Sequence, residues 1–92
     1  MLERWTAVDE FMEDAFIGDD PVMDAILKHS SEGGLPDISV SPNQGKMLWM
    51  MAKLVGAKHI LEVGTLGGYS TTWLARALPE DGKLVTLEYS PV

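Results

Sequence analysis

The stretch Ile60-Leu61-Glu62-Val63-Gly64-Thr65-Leu66-Gly67-Gly68-Tyr69-Ser70 limits what this chain can fold into more than any other. Lys58 to Val63 reads as a strand, and it runs straight into a glycine-rich turn from Gly64 to Gly68. A helix-forming stretch follows from Ser70 to about Leu78 and is stopped by Pro79. Glu80-Asp81-Gly82 reads as a turn, and Lys83 to Glu88 as a second strand rich in β-favouring residues. Strand, glycine turn, helix, turn, strand is one βαβ unit of the parallel α/β class. Its crossover is expected to be right-handed.

Glycines between a strand and a helix let backbone approach a ligand, because no Cβ intervenes. The helix that follows offers unpaired N–H groups at its start. The dinucleotide fingerprint G-x-G-x-x-G is not met: counting from Gly64, the third position is Leu66 and the sixth is Tyr69. The pattern is E-x-G-x-x-x-G, with Glu62 at the strand end. A carboxylate there repels a phosphate and suits a cation. S-adenosylmethionine carries a sulfonium and an α-ammonium and no phosphate. Glu62 either meets that ammonium or orders the turn through backbone N–H groups; the sequence leaves both open. Glu88 closes the second strand, at the distance beyond the turn expected of a ribose-binding acid. A carboxylate accepts from both ribose hydroxyls and opposes a 2′-phosphate. The spacing and Glu62 together oppose a nucleotide-dependent oxidoreductase.

The residues before the unit read as helices. Trp5, Val8, Phe11, Met12, Ala15 and Phe16 recur at helical spacing, separated by Asp9, Glu10, Glu13 and Asp14. Gly18-Asp19-Asp20 breaks that helix. Asp20-Pro21 caps a second one, expected to run to about His29 with Met23, Ile26 and Leu27 on its buried face. Ser30 to Pro36 is expected to be loop. Ser41-Pro42-Asn43-Gln44 spells a capping box with proline at N1, opening a third helix that Gly56 ends.

With 92 residues the chain holds one small domain, in two parts: a helical region over 1–36 and the start of a cofactor-binding region over 37–92. At 46% hydrophobic and 23% charged it does not have the composition of a disordered chain. The net charge of -7 and the lack of any Lys/Arg run argue against a nucleic-acid partner. No cysteine is present, so disulfides, thiolate metal sites and Cys nucleophiles are excluded. His29 and His59 lack ligand spacing, and no metal is assigned to either. No apolar run reaches the roughly 18 residues of a membrane span, and no signal-peptide pattern opens the chain. A cytoplasmic protein with no membrane partner is the default expectation.

At these motifs the sequence resembles the cation-dependent O-methyltransferases, the family of the caffeoyl-CoA and catechol enzymes. Leu61 to Ser70 is similar to the family's L-E-[IL]-G-x-x-x-G-Y-S. Leu78 to Glu88 looks like its turn and second strand, and Ile38 to Gly45 like its x-I-S-P-x-x-G lead-in. The resemblance implies an α/β fold: the N-terminal portion of a Rossmann-like S-adenosylmethionine-dependent methyltransferase, three helices and then one βαβ unit. It implies that Val40 lines the methionine end of the cofactor, with Glu62, Gly64 and Thr65 forming the turn beneath it. Ser70 would bond the methionine carboxylate, Glu88 the ribose, and Gly68 and Tyr69 would shape the wall. Ser70 as a plain N-cap and Tyr69 as a core residue are the structural alternatives. The family's metal ligands, an Asp and a later Asp-Asn pair, have no counterpart before Val92. The resemblance therefore implies a cofactor-binding half without catalytic or metal residues. The divalent cation, Mg or similar, is expected only in the full-length enzyme, which methylates a hydroxyl of a small, aromatic acceptor. The N-terminal helices can gate the substrate pocket in relatives; otherwise Trp5, Phe11 and Phe16 are expected to pack on the sheet or on a partner. Two parallel strands leave an open edge, so a piece of a longer chain or a homo-oligomer, a dimer first, is expected. The alternative is a non-catalytic module that binds S-adenosylmethionine or self-associates.

Overall fold

The computed structural model describes residues 2–91. Three helices come first: α1 (Leu2–Phe16), α2 (Pro21–Glu32) and α3 (Pro42–Leu54). Then β1 (His59–Val63), α4 (Tyr69–Ala77) and β2 (Lys83–Leu87) form the expected βαβ unit. The strands pair in parallel, from His59 opposite Lys83 to Val63 opposite Leu87. Lys83 N–H to the Lys58 carbonyl and Gly64 N–H to the Leu87 carbonyl, both 2.7 Å, extend the ladder at its two ends.

The helix starts follow local chemistry. Asp20 caps α2 by accepting from Met23 N–H at 3.3 Å, with Pro21 behind it. Ser41 and Gln44 complete a reciprocal capping box on α3, at 3.2 and 3.1 Å. Gly56 follows the cap residue Val55 with a positive φ of 63°, as a C′ glycine should. One boundary departs from expectation: α2 runs on through Ser30 and Ser31 to Glu32. The Ser30 hydroxyl donates to the Ile26 carbonyl at 2.7 Å, which satisfies inside the helix a side chain expected to favour loop.

The core is small. Met23, Tyr69 and Trp73 are its buried centre, with Ile17, Ile26, Leu27, Val40 and Trp49 packed around them. Thus α2 and α3 both lie on α4. Gly45 of α3 sits against the Trp73 indole, where a Cβ would overlap the ring. Arg76 of α4 grips Asp20 through its two terminal guanidinium nitrogens, at 2.6 and 3.0 Å.

Along each strand exposure alternates. Ile60, Glu62, Leu84 and Thr86 are half-buried, while Leu61, Val63, Val85 and Leu87 stay exposed, Val63 at 81%. One side of the sheet is therefore bare. Helix α1 buries none of its residues. Trp5, Phe11 and Phe16 do not pack on the sheet; they are 60–69% exposed, and α1 leans on α3. Asn43 Nδ2 donates to the Asp9 carbonyl at 3.1 Å, and Lys46 Nζ donates to the carbonyl of Phe16. Among the described residues, no helix is long and apolar enough to cross a membrane.

Candidate functional site

The turn between β1 and α4 is built from unusual backbone. Gly64 and Gly68 take positive φ values of 99° and 87°, open to glycine at no steric cost. Leu66 between them also lies in the left-handed region, at φ 49°, and a side chain there costs about 1–2 kcal/mol. Gly67 meets α2: a Cβ at that position would overlap the Ser30 hydroxyl. Gly68 is the N-cap of α4 and supplies no side-chain cap. Ser70 is inside the helix, so its alternative role as N-cap is ruled out. Thr72 N–H makes the bond back to the Gly68 carbonyl, at 3.0 Å, and the amides before it open the helix without an intrahelical acceptor.

Glu62 accepts three hydroxyl protons beneath this turn. Ser70 Oγ donates to its Oε2 at 2.6 Å, and Thr86 Oγ1 to its Oε1 at 2.9 Å. Thr71 Oγ1 donates to Oε1 as well. Thr86 also lies 2.6 Å from Thr65 Oγ1. The Glu62 partners are hydroxyls of α4 and β2, and one of them, Thr86, reaches the turn at Thr65. Ser70 has one proton, and it points at Glu62; donation to a ligand carboxylate requires that Ser70 leave Glu62.

Glu88 stands just past β2 and is fully exposed. Its Oε1 accepts from Leu66 N–H at 2.7 Å, and its Oε2 from Ser90 N–H at 3.1 Å. The Leu66 amide first, and the Ser90 amide after it, hold its carboxyl below the usual range. Each oxygen keeps a lone pair for a further donor, so a diol could still bridge them.

A cavity of about 100 Å³ opens over the turn. Val40, Gly64, Thr65, Tyr69 and Ser70 line it, together with Ile38, Ser39 and Leu66. Five of the eight expected cofactor residues thus share one concavity. Gly68 caps the helix beside it, Glu62 lies behind Ser70, and Glu88 lies behind Leu66. Glu88 holds the turn at Leu66 and Glu62 holds the start of α4, but neither carboxylate lines the cavity. Tyr69 is only 3% exposed and belongs chiefly to the core, where burial raises its pKa. The volume is below the roughly 300 Å³ of an ordinary ligand pocket. The cavity lining includes the hydroxyls of Ser39, Thr65 and Ser70. The donor set fits an α-amino acid joined to a ribose.

Thr71 and Thr86 were not singled out from the sequence. The strand alternation places Thr86 on the same face as Glu62 and Glu88, and that was the available signal. Among the described residues, no His, Cys, Asp and Glu group is arranged to hold a metal ion.

Comparisons with known proteins converge on one family. The O-methyltransferase sequence profile matches residues 12–92. A catechol O-methyltransferase of Niastella koreensis is 53% identical over 85 residues, 92% of this chain and 38% of the relative. The crystal structure of an O-methyltransferase from Bacillus cereus in complex with SAH superposes with a TM-score of 0.95 at 48% identity, covering 99% of this chain and 41% of that one. The O-methyltransferase TomG from Streptomyces achromogenes, in complex with SAM, gives a TM-score of 0.88 at 46% identity, over 96% of this chain and 40% of its own. The chain thus spans about two fifths of the length of these relatives.

Proposed function

The chain belongs to the O-methyltransferase family, and from that premise we propose that it binds S-adenosylmethionine (SAM) for methyl transfer to a hydroxyl of a small, aromatic acceptor. The observation that carries the reading is the turn itself. Glu88 holds its Leu66 amide, Glu62 holds the start of α4 behind it, and a cavity of about 100 Å³ opens over it. Neighbouring structures bound to SAH and to SAM support the same ligand here.

In this reading Val40, Gly64 and Thr65 surround the methionine end, and Tyr69 and Gly68 form its wall. The opening amides of α4 face the carboxylate, as the positive end of a helix favours. Ser70 joins them once it is released from Glu62. Glu88 accepts both ribose hydroxyls while Leu66 and Ser90 keep it in place. When bound, the cofactor supplies a methyl group on its sulfonium. These residues fix its orientation, and alignment is a large part of such catalysis. The aromatic acceptor and a divalent cation, expected only of the full-length enzyme, are assigned to none of these residues.

We propose a homodimer in the cytoplasm. Support for association comes from the bare sheet face and from an apolar groove of about 660 Å³ between α1 and α3, lined by Met12, Phe16, Met47, Trp49 and Met50 among others. The cofactor reading is tested by titrating the 15N-labelled chain with S-adenosylhomocysteine (SAH). Amides of Val40, Gly64 to Ser70 and Glu88 are expected to shift together. Saturating ligand that moves none of them would overturn the site.

A further inference from the structure

Thr86 of β2 and Glu88 just past its end grip two consecutive residues of the turn. Thr86 reaches Thr65, and Glu88 reaches the Leu66 amide. Between them they hold Leu66 in a backbone conformation that L side chains disfavour. Glu88 has its proposed role in holding ribose; Thr86 has none. We infer that Thr86 is a positioning residue of the cofactor turn, joining the Glu62 carboxylate on β1 to the Thr65 hydroxyl across the sheet.

The proton count gives the direction of that link. An ionised carboxylate only accepts, and a threonine hydroxyl has one proton. Thr86 donates its proton to Glu62 Oε1 at 2.9 Å. At 2.6 Å from Thr65 it therefore accepts, and the Thr65 hydroxyl donates. Thr65 is tethered through its side chain, and its carbonyl in turn accepts from Gly68 N–H at 2.9 Å, which closes the turn. Glu62, Thr86, Thr65 and Gly68 form one continuous series from the sheet to the first residue of the α4 cap. Loss of the Thr86 hydroxyl interrupts it at the centre and leaves the β-ladder intact, because the ladder uses backbone groups alone.

The consequence for ligand rests on the SAM reading: a turn held in one shape is already arranged for the cofactor, and a loose one must be ordered on binding. The test compares T86V, which keeps the shape and removes the hydroxyl, with T86S, which keeps the hydroxyl. Two readouts are taken on the 92-residue chain: amide hydrogen exchange without ligand, and SAH affinity by NMR titration. T86V is expected to speed exchange at Leu66 and Gly68, to leave the Gly64 amide as slow as before, and to weaken SAH about tenfold, the worth of one hydrogen bond. T86S is expected to match the parent in both. Unchanged turn exchange in T86V overturns the proposal, as does a T86S variant that behaves like T86V. So does T86V exchange that rises equally at Gly64, which is a merely structural effect. If the parent itself does not bind SAH, the cofactor reading falls, and the exchange data still decide the role of Thr86. Should T86V not fold, T65V breaks the same link from the turn side, and the same exchange outcomes apply.

Discussion

Single residues decide how tightly the helices close on each other. Gly45 lets α3 lie on the Trp73 indole. Gly45→Ala adds helix propensity of about 1 kcal/mol but forces a methyl into a rigid ring, and overpacking costs about 1–3 kcal/mol. The second effect is expected to win, lowering the denaturant midpoint of unfolding. Arg76 and Asp20 are the second case. The Arg76 hydrogen bonds hold the Asp20 carboxyl below its ordinary range, against the effect of burial and with help from the Met23 amide. A depressed carboxylate contributes stability above its unfolded value of about 3.9, and that stability is lost as pH falls through the lower folded value. Partial exposure, 33% for Arg76 and 20% for Asp20, limits the pair to about 1 kcal/mol. Arg76→Met is therefore expected to destabilise by about that much at neutral pH. The difference should shrink as pH is lowered from neutral toward 2 and the Asp20 carboxylate takes up its proton. Denaturation of the two proteins at both pH values checks it.

Elements were legible where their signals are local. The start of α3 is spelled by Ser41, Pro42 and Gln44, and the capping box forms as read. Ser41→Ala is expected to cost about 1 kcal/mol, seen as a lower thermal midpoint together with faster exchange of the Gln44 amide. The βαβ order could also be read, because periodicity changes at the glycine turn. The end of α2 could not. Ser30 looked like a loop residue because serine competes with helix, yet its hydroxyl folds back on Ile26 and Gly67 makes room for it. Half of the site was visible for a related reason. Glu62 and Glu88 stand out as charged residues at strand ends. Thr71 and Thr86 do not, because threonine is an ordinary residue in either element and only the folded register brings their hydroxyls to Glu62. On α1 the aromatic spacing marks an apolar stripe without saying what covers it: the sheet does not, which leaves a partner as the expected cover.

The whole molecule shows what one βαβ unit cannot hide. Leu61, Val63, Val85 and Leu87 are 42–81% exposed on one side of a two-stranded sheet, and contiguous apolar surface of this kind marks a contact site. Association that grows with concentration is expected in sedimentation equilibrium. Val63→Lys with Leu87→Lys should shift it toward monomer, because both side chains alternate away from the face on which Glu62 and Thr86 meet. A chain that stays monomeric at about 100 μM, on the order of ordinary weak association, would count against the dimer.

The parallel register has a consequence for the folding of this segment. Thr86 and Glu88 reach the turn only when Val63 faces Leu87. A slip by one residue would turn both to the opposite side. A small molecule that recognises only the assembled turn would bind the correct alignment and withdraw it from the misaligned population. Any ligand of that turn would therefore favour the one register in which Val63 faces Leu87.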